Sequence, residues 1–453
     1  MGNNIENEYE VLAELLRGND NKKFRKRFLD MHFYEQSEFY LTLKQDDRLK
    51  LYTILQPDET ADMFDTIEED LPELPEFLEE MDVEYAADML NNMYDDNAAD
   101  ILEHLETPEI DRYLSRMPRA DANNLRGLLH YDTQTAGGLM TTDYVSFTAD
   151  QTVKAATAEL KEEAKDAETI NALFVVDENG DLTGVLSLRE LVLNSDNKKL
   201  GNIMNQHVIS INVDADQAEV AQVFRDYEFL VMPVVDHANR MVGIITVDDV
   251  IEIIDDEAQS DYSGLAGVDV DEAITESPVR AATKRLPWLI TLLFLGMITA
   301  TLISHFEILL SQASILAVFI TLITGTAGNA GTQSLAVAVR RLAIVKEDEE
   351  FRVGKLILRE IFTGVLTGVI TGAVIWLVVG LWQNNFILGF VIGLAMMVAI
   401  TVANLAGSLI PIIMEKLGFD PAVASGPFIS TLSDLTSVLI YFNIASLFMK
   451  FFM

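Results

Sequence analysis

Thr431-Leu432-Ser433-Asp434-Leu435-Thr436-Ser437-Val438-Leu439-Ile440 lies inside a run, 421–449, in which Asp434 is the single charged residue. A run of that length exceeds the roughly 20 apolar residues that span a bilayer core. Two more runs, Ile308–Val339 and Ile361–Met414, carry no charge at all. The second is long enough for two spans, with Gln383-Asn384-Asn385 as the turn between them, and Leu286–Ile303 is a shorter candidate. The pattern predicts five membrane helices, at about 286–306, 313–339, 355–382, 386–414 and 421–449. A carboxylate inside such a helix costs several kcal/mol unless it meets water or a partner. No basic residue falls within a span core, so Asp434 points to a cation.

Basic residues set the orientation. Arg280, Lys284 and Arg285 precede the first helix, and Arg340, Arg341, Lys346, Arg352, Lys355 and Arg359 fill the loop between the second and third. The opposite loops carry Glu307 and no Lys or Arg. Loops rich in Lys and Arg face the cytosol, which places the N-terminal half inside and, after five spans, the C-terminus outside. The protein is therefore expected in the cell (inner) membrane, in contact with lipid. The second helix contains Gly325-Thr326-Ala327-Gly328-Asn329-Ala330-Gly331-Thr332-Gln333-Ser334, a polar, glycine-rich stretch of a kind tolerated at membrane depth where it is buried or lines a wet cavity. It is not a P-loop, because the Lys is missing. In the third helix, Gly364, Gly368 and Gly372 form a small-residue face suited to close helix contact.

The 453 residues suggest about three domains, and their charge is split. Residues 1–285 hold 62 acids against 24 bases, a formal −38, while 286–453 hold 9 against 8, a formal −1. An acidic surface of this kind excludes a nucleic-acid partner, which needs basic contacts to phosphate, and suits either cations or plain solubility. Cysteine is absent, which removes disulfides and thiolate metal sites. Met1–Asp20 has no apolar segment of the signal-peptide kind. Six scattered His, no G-x-S-x-G and no P-loop leave no nucleophile constellation, so an enzyme is not expected.

Residues 137–255 hold a tandem repeat. Val176-Asp177 matches Val235-Asp236, Gly184 matches Gly243 and Leu191-Val192 matches Val250-Ile251, each pair 59 residues apart. Each unit reads as strand, turn, strand and helix. This resembles a pair of CBS domains, a regulatory module that often binds adenine nucleotides. Ser187-Leu188-Arg189-Glu190 and Thr246-Val247-Asp248-Asp249 are similar to the hydroxyl-x-x-acid stretch that contacts ribose in such modules, which makes Ser187 and Thr246 nucleotide-binding candidates and ATP a candidate ligand. An acid at a helix start is equally a favourable dipole contact. Upstream, residues 51–100 contain 17 acids and no base, with helix starts read in 55–62, 81–88 and 93–100, and predict a curved stack of short helix pairs. After the repeat, Asp249–Asp261 reads as an acidic helix leading towards the first span, with Glu252, Asp255 and Asp256 on one face.

The order of these parts, with Gly328-Asn329-Ala330-Gly331-Thr332-Gln333-Ser334, Asn404 and Leu432-Ser433-Asp434-Leu435-Thr436, resembles the MgtE family of magnesium channels over almost the whole chain. The resemblance implies a multi-domain fold: an α-helical N-domain (1–136), an α/β CBS pair (137–200 and 201–248), a connecting plug helix (249–280) and a five-helix all-α transmembrane domain (281–453). It implies a homodimer whose pore is lined mainly by the second and fifth helices, with Asn329, Thr332, Gln333, Asn404 and Ser430 as pore-lining residues. Asp434 matches the aspartate that holds hydrated Mg²⁺, and Asp420 an acid near the gate. Asp96 and Asp100 match acids that share regulatory Mg²⁺ with partners here expected to be Asp216, Asp249, Glu252, Glu257 and Asp261. Two positions depart from the pattern: Gly426 stands where Asn is frequent, and Ser260 where an acid is frequent. A secondary transporter driven by H⁺ or Na⁺ is the alternative function.

Overall fold

The computed structural model describes residues 2–18, 20–67, 71, 73–165, 167–268, 277–342, 353–417 and 425–452. The chain divides into two compact units, Met1–Ile254 and Asp255–Met453.

The first unit opens with ten short helices: α1 (Gly2–Arg17), α2 (Asn21–Leu29), α3 (Phe33–Leu41), α4 (Gln45–Tyr52), α5 (Pro57–Phe64), α6 (Leu74–Glu80), α7 (Val83–Leu90), α8 (Asp95–Glu103), α9 (Thr107–Leu114) and α10 (Arg119–Leu128). The acids read as helix starts do that work. Glu59 accepts a hydrogen bond from the Gln56 amide and Asp82 from the Glu84 amide, satisfying donors that the helix itself leaves open. Alternate helices pack on one another, α3 on α5, α5 on α7, α7 on α9 and α8 on α10. Helices this short are marginal alone; burial of side chains such as Phe64, Leu90 and Leu102 holds them.

The repeat folds as two sheets of the same order. In the first, β1 (Ser146–Thr148) runs parallel to β2 (Ala172–Val176), which pairs antiparallel with β3 (Leu182–Ser187). In the second, β4 (Ile211–Asn212), β5 (Val231–Val235) and β6 (Met241–Thr246) repeat the pattern. Helices α11 (Val153–Glu163) and α13 (Gln217–Tyr227) cross over within each unit, and α12 (Leu188–Leu193) and α14 (Val247–Ala266) follow them. The matched glycines share one reason. A Cβ at Gly243 would stand 2.7 Å from the Thr141 carbonyl oxygen, and one at Gly184 would collide with Met204. The matched turns also agree: Gly180 and Asn239, 59 apart, both take positive φ, a conformation that Gly and Asn tolerate best. The two turns bond across the pseudo-twofold, Leu182 N to Asn239 O and Met241 N to Gly180 O.

In the second unit, α15 (Pro278–His305), the segment Ser314–Leu342 that contains α17 (Ile320–Leu342), α18 (Val353–Trp382), α19 (Phe386–Lys416) and α20 (Gly426–Phe452) are long and apolar enough to cross a membrane. A short α16 (Glu307–Gln312) and a 3₁₀ turn (Ser314–Phe319) join α15 to α17. Helix α19 is central, packed against α17, α18 and α20. Gly364, Gly368 and Gly372 do bring α18 onto α19: a Cβ at Gly368 would lie 2.7 Å from the Met397 carbonyl oxygen. The glycine-rich stretch of the second span is regular α-helix, with the 3₁₀ turn upstream of it. The acidic helix α14 stops at Ala266. Gly267 (φ +70°) ends α14, with Val268 N bonded to Ser263 O and Gly267 N to Gly264 O, the left-handed glycine cap that stops a helix.

Candidate metal centres

Three carboxylates converge in the first unit. Asp96 stands in the first turn of α8, Asp249 in the first turn of α14, and Glu168 in the connection from α11 to β2; one ligand oxygen of each lies within 4.8 Å of the other two. Local bonds fix all three. The Asn97 amide donates to Asp96. The Thr246 amide and hydroxyl donate to Asp249 at 3.3 and 2.7 Å. The Glu168 amide donates to the Asp143 carbonyl. Asp96 is 6% exposed, and Glu168 Oε2 is buried with no hydrogen-bond partner. They border a cavity of about 520 Å³ whose walls add Asp62, Asp65, Asp248 and Glu252, with no Lys or Arg among the lining residues.

Crowded acids out of water resist ionisation. Burial, and then the Asp249 charge, pushes Glu168 up to about 8. Burial first, then the Asp249 and Glu168 charges, pushes Asp96 well above the carboxylate range. Asp249 rises to about 6 and Asp65 to about 7, burial being the main cause for each. The arrangement calls for a positive charge. Mg²⁺ holds oxygens at about 2.1 Å and keeps several waters, so three carboxylates plus water form a suitable donor set.

A pH dependence follows. Carboxylates whose folded pKa is raised contribute stability below their unfolded pKa near 4, and lose it as pH rises through the folded values, here from about 6 to about 8. Metal-free protein comprising residues 1–275 is expected to lose stability, on the order of a few kcal/mol, between pH 5 and pH 8, and to regain it at pH 8 with Mg²⁺. Thermal melts in chelator at high ionic strength measure this; a metal-free melting temperature that holds or climbs with pH contradicts it.

Of the acids singled out above, Asp96, Asp249 and Glu252 border this cavity, and Asp100, one helical turn after Asp96, adds to the field that raises it. Asp216 does not: it is exposed and caps α13 by accepting from the Ala218 amide. Glu257 is exposed on α14, in the second unit. Asp420 and the side chain of Asp261 lie outside the described residues. Ser187 and Thr246 each have a folding task, Ser187 in a reciprocal cap with Glu190 and Thr246 with Asp249. No spacing in the sequence marks Glu168, Asp62 or Asp65 as part of this cavity.

In the second unit, Asp434 is half-buried on α20 and makes no hydrogen bond or ion pair among the described residues. Helix α17 lies close by its small residues: a Cβ at Gly328 would stand 2.7 Å from Ser430 Oγ, and one at Gly331 3.0 Å from Ser433 Oγ. Asn329 and Gln333 share an exposed stripe of α17 with Gly325 and Ala336, and Thr332 and Ser430 are half-buried. Asn404, on α19, is buried. It is 6% exposed, packs on α18 where Gly364 lacks a side chain, and its carbonyl accepts from Ser334 Oγ at 2.8 Å. The helix-packing glycine draws it inward. Gly426 has a local reason too: a Cβ there would sit 3.1 Å from the Leu265 carbonyl oxygen and 3.2 Å from the Thr332 methyl.

An acid-lined cavity joined in sequence to five apolar helices, with one aspartate unpaired among the described residues, fits a membrane transporter of divalent cations that carries a CBS pair. The family profiles agree. "Divalent cation transporter" matches residues 320–444, "MgtE intracellular N domain" residues 31–134, and the CBS domain residues 136–196 and 200–256. The chain is 58% identical over 451 residues to the magnesium transporter MgtE of Enterococcus faecalis, covering 100% of this chain and 99% of that protein. It is 37% identical over 434 residues to that of Bacillus subtilis, covering 96% of each. The chain therefore belongs to the MgtE family of magnesium transporters. Among solved structures, the soluble part of a magnesium transporter is 47% identical with a TM-score of 0.55, covering 56% of this chain and 99% of that one. The cytosolic domain of the Mg²⁺ channel MgtE in complex with ATP is 33% identical with a TM-score of 0.51, covering 54% and 99%.

Proposed function

We propose that this chain is a Mg²⁺-selective channel that admits Mg²⁺ across the cell membrane and is closed by cytosolic Mg²⁺. The observation that carries the reading is Asp434, an acid inside a membrane helix without a basic partner among the described residues. The Asp96–Glu168–Asp249 cluster supplies the sensor: Mg²⁺ binds better where the three acids are held together, and this differential affinity shifts the population towards that arrangement. Asp100 and Glu252 strengthen the field there; Glu257, Asp261 and Asp420 keep regulatory roles in this reading. Asn329, Thr332, Gln333 and Ser430 line the pathway. The domain divisions at 136, 200, 248 and 280 belong to the same proposal, as do a cytosolic N-terminal half and an outward C-terminus. Patch recording of purified protein, with Mg²⁺ varied on each side and no proton or sodium gradient, tests it. Current that follows the Mg²⁺ gradient alone supports a channel; flux that requires H⁺ or Na⁺ replaces it with a coupled transporter.

One chain brings a single aspartate, so the pathway needs a second copy to form an acidic ring. Homo-oligomers with twofold symmetry are the commonest solution. Light scattering in detergent is expected to give two chains per particle; a conducting monomer refutes it. ATP at the CBS pair is assigned on the likeness of Ser187-x-x-Glu190 and Thr246-x-x-Asp249 to nucleotide-binding stretches. Calorimetric titration with ATP checks it, and absence of heat removes it.

A further inference from the structure

The second unit buries another acid. Glu360, in the second turn of α18, is 6% exposed. Its carboxylate accepts from Ser334 Oγ at 3.1 Å and pairs with Arg341 Nη1 at 3.6 Å. Both partners belong to α17. They stand seven residues apart, two turns or about 10 Å along the axis, on one face. Asn329 and Gln333 occupy a different, exposed face, Gln333 about a quarter-turn and Asn329 about a third of a turn away. Ser334 Oγ also lies 2.8 Å from the Asn404 carbonyl oxygen, so its one proton is shared between α18 and α19.

A carboxylate at a bilayer helix persists where it is hydrogen-bonded and paired, and this one is satisfied at two heights of a single neighbouring helix. Such a two-point clamp resists rotation of α17 about its axis, in addition to the apolar contact of Leu335 and Val339 with Ile429 of α20. We propose that Glu360 is a positioning residue for permeation: it sets the rotation of α17 and so the direction in which Asn329 and Gln333 face. The inference rests on the channel reading for its effect on flux, but not for its effect on helix orientation.

The cysteine-free chain allows a direct test on the full-length protein in liposomes. Single substitutions Asn329→Cys, Thr332→Cys, Gln333→Cys and Ala336→Cys are each labelled with a water-soluble maleimide, with and without Glu360→Gln. With Glu360 intact, labelling is expected to be fast at 329 and 333 and slow at 332. In Glu360→Gln, which keeps an acceptor for Ser334 but loses the ion pair, the ratio of rates between 333 and 332 is expected to fall several-fold. Maximal Mg²⁺ flux in the cysteine-free background is expected to fall about tenfold or more, as displaced positioning groups commonly cause. The exchange Glu360→Arg with Arg341→Glu is expected to restore part of both. An unchanged labelling pattern overturns the proposal, whatever happens to flux. So does a pattern changed only in protein that elutes as aggregate while the charge exchange fails to rescue it. A changed pattern in a protein whose parent carries no Mg²⁺ would instead overturn the channel reading and leave the clamp standing.

Discussion

Asp434→Ala is expected to abolish Mg²⁺ permeation while leaving the protein folded and correctly assembled. Asp434 is half-buried on α20 with no bond to release among the described residues, so its removal breaks no packing network. An unpaired acid in a span costs several kcal/mol, and substitution should stabilise the helix bundle even as transport is lost. Asp434→Asn keeps the shape and removes the charge; it should lose the preference for divalent over monovalent cations, because charged rings set cation selectivity. Liposome uptake with a Mg²⁺-sensitive dye measures both. Wild-type uptake by the alanine variant would take the pathway away from Asp434.

Neutralising the sensor should have the opposite sign. In Asp96→Asn, Glu168→Gln and Asp249→Asn combined, the cluster no longer favours the held-together arrangement when Mg²⁺ is present. The Mg²⁺ concentration that closes the channel is expected to rise by roughly ten- to a hundredfold, the range of ordinary allosteric couplings, so current persists at high cytosolic Mg²⁺. In parallel, residues 1–275 of the wild type should gain protease resistance in millimolar Mg²⁺ and not in NaCl of equal ionic strength. Screening acts alike for any salt, with a Debye length of about 10 Å at 0.1 M. Equal protection by both salts would reduce these acids to a solvated face.

The legible and the hidden parts of this molecule divide by whether a residue's role is local. Capping acids, matched glycines of the repeat and charge-free spans declare themselves because the helix, the turn and the bilayer each impose a spacing. Residues that matter through distant neighbours do not. Asp216 and Asp249 are both named by family resemblance and both stand at helix starts in the structure, yet one is an exposed cap and the other borders the cavity. The pairing of Asp96 with Asp249 was suggested by family resemblance rather than by spacing. Glu168 lies in a connection without period, and only its buried, unpartnered oxygen sets it apart. Glu360 falls inside the expected third span, but nothing in its spacing shows that Ser334 and Arg341 of the preceding helix meet it.

The three carboxylates stand on two apolar clusters that a third, smaller one bridges. A single apolar cluster joins the ten-helix region to the second repeat, running from Leu12 through Leu102 to Val250 and Ile253, and so carries both Asp96 and Asp249. The first repeat has a cluster of its own around Phe147, Leu173 and Leu186, and Ala167 and Ile170, on either side of Glu168, pack against that one. A smaller cluster of Phe174, Val231, Met241 and Ile244 ties the two repeats together, so Glu168 is joined to the ground of the other two acids along that seam. Cooperative opening follows such divisions, and a cation gripped from both sides stitches them into one unit. Amide hydrogen exchange should see this as a merger: without Mg²⁺ the first repeat exchanges on its own clock, and with Mg²⁺ it keeps time with the rest.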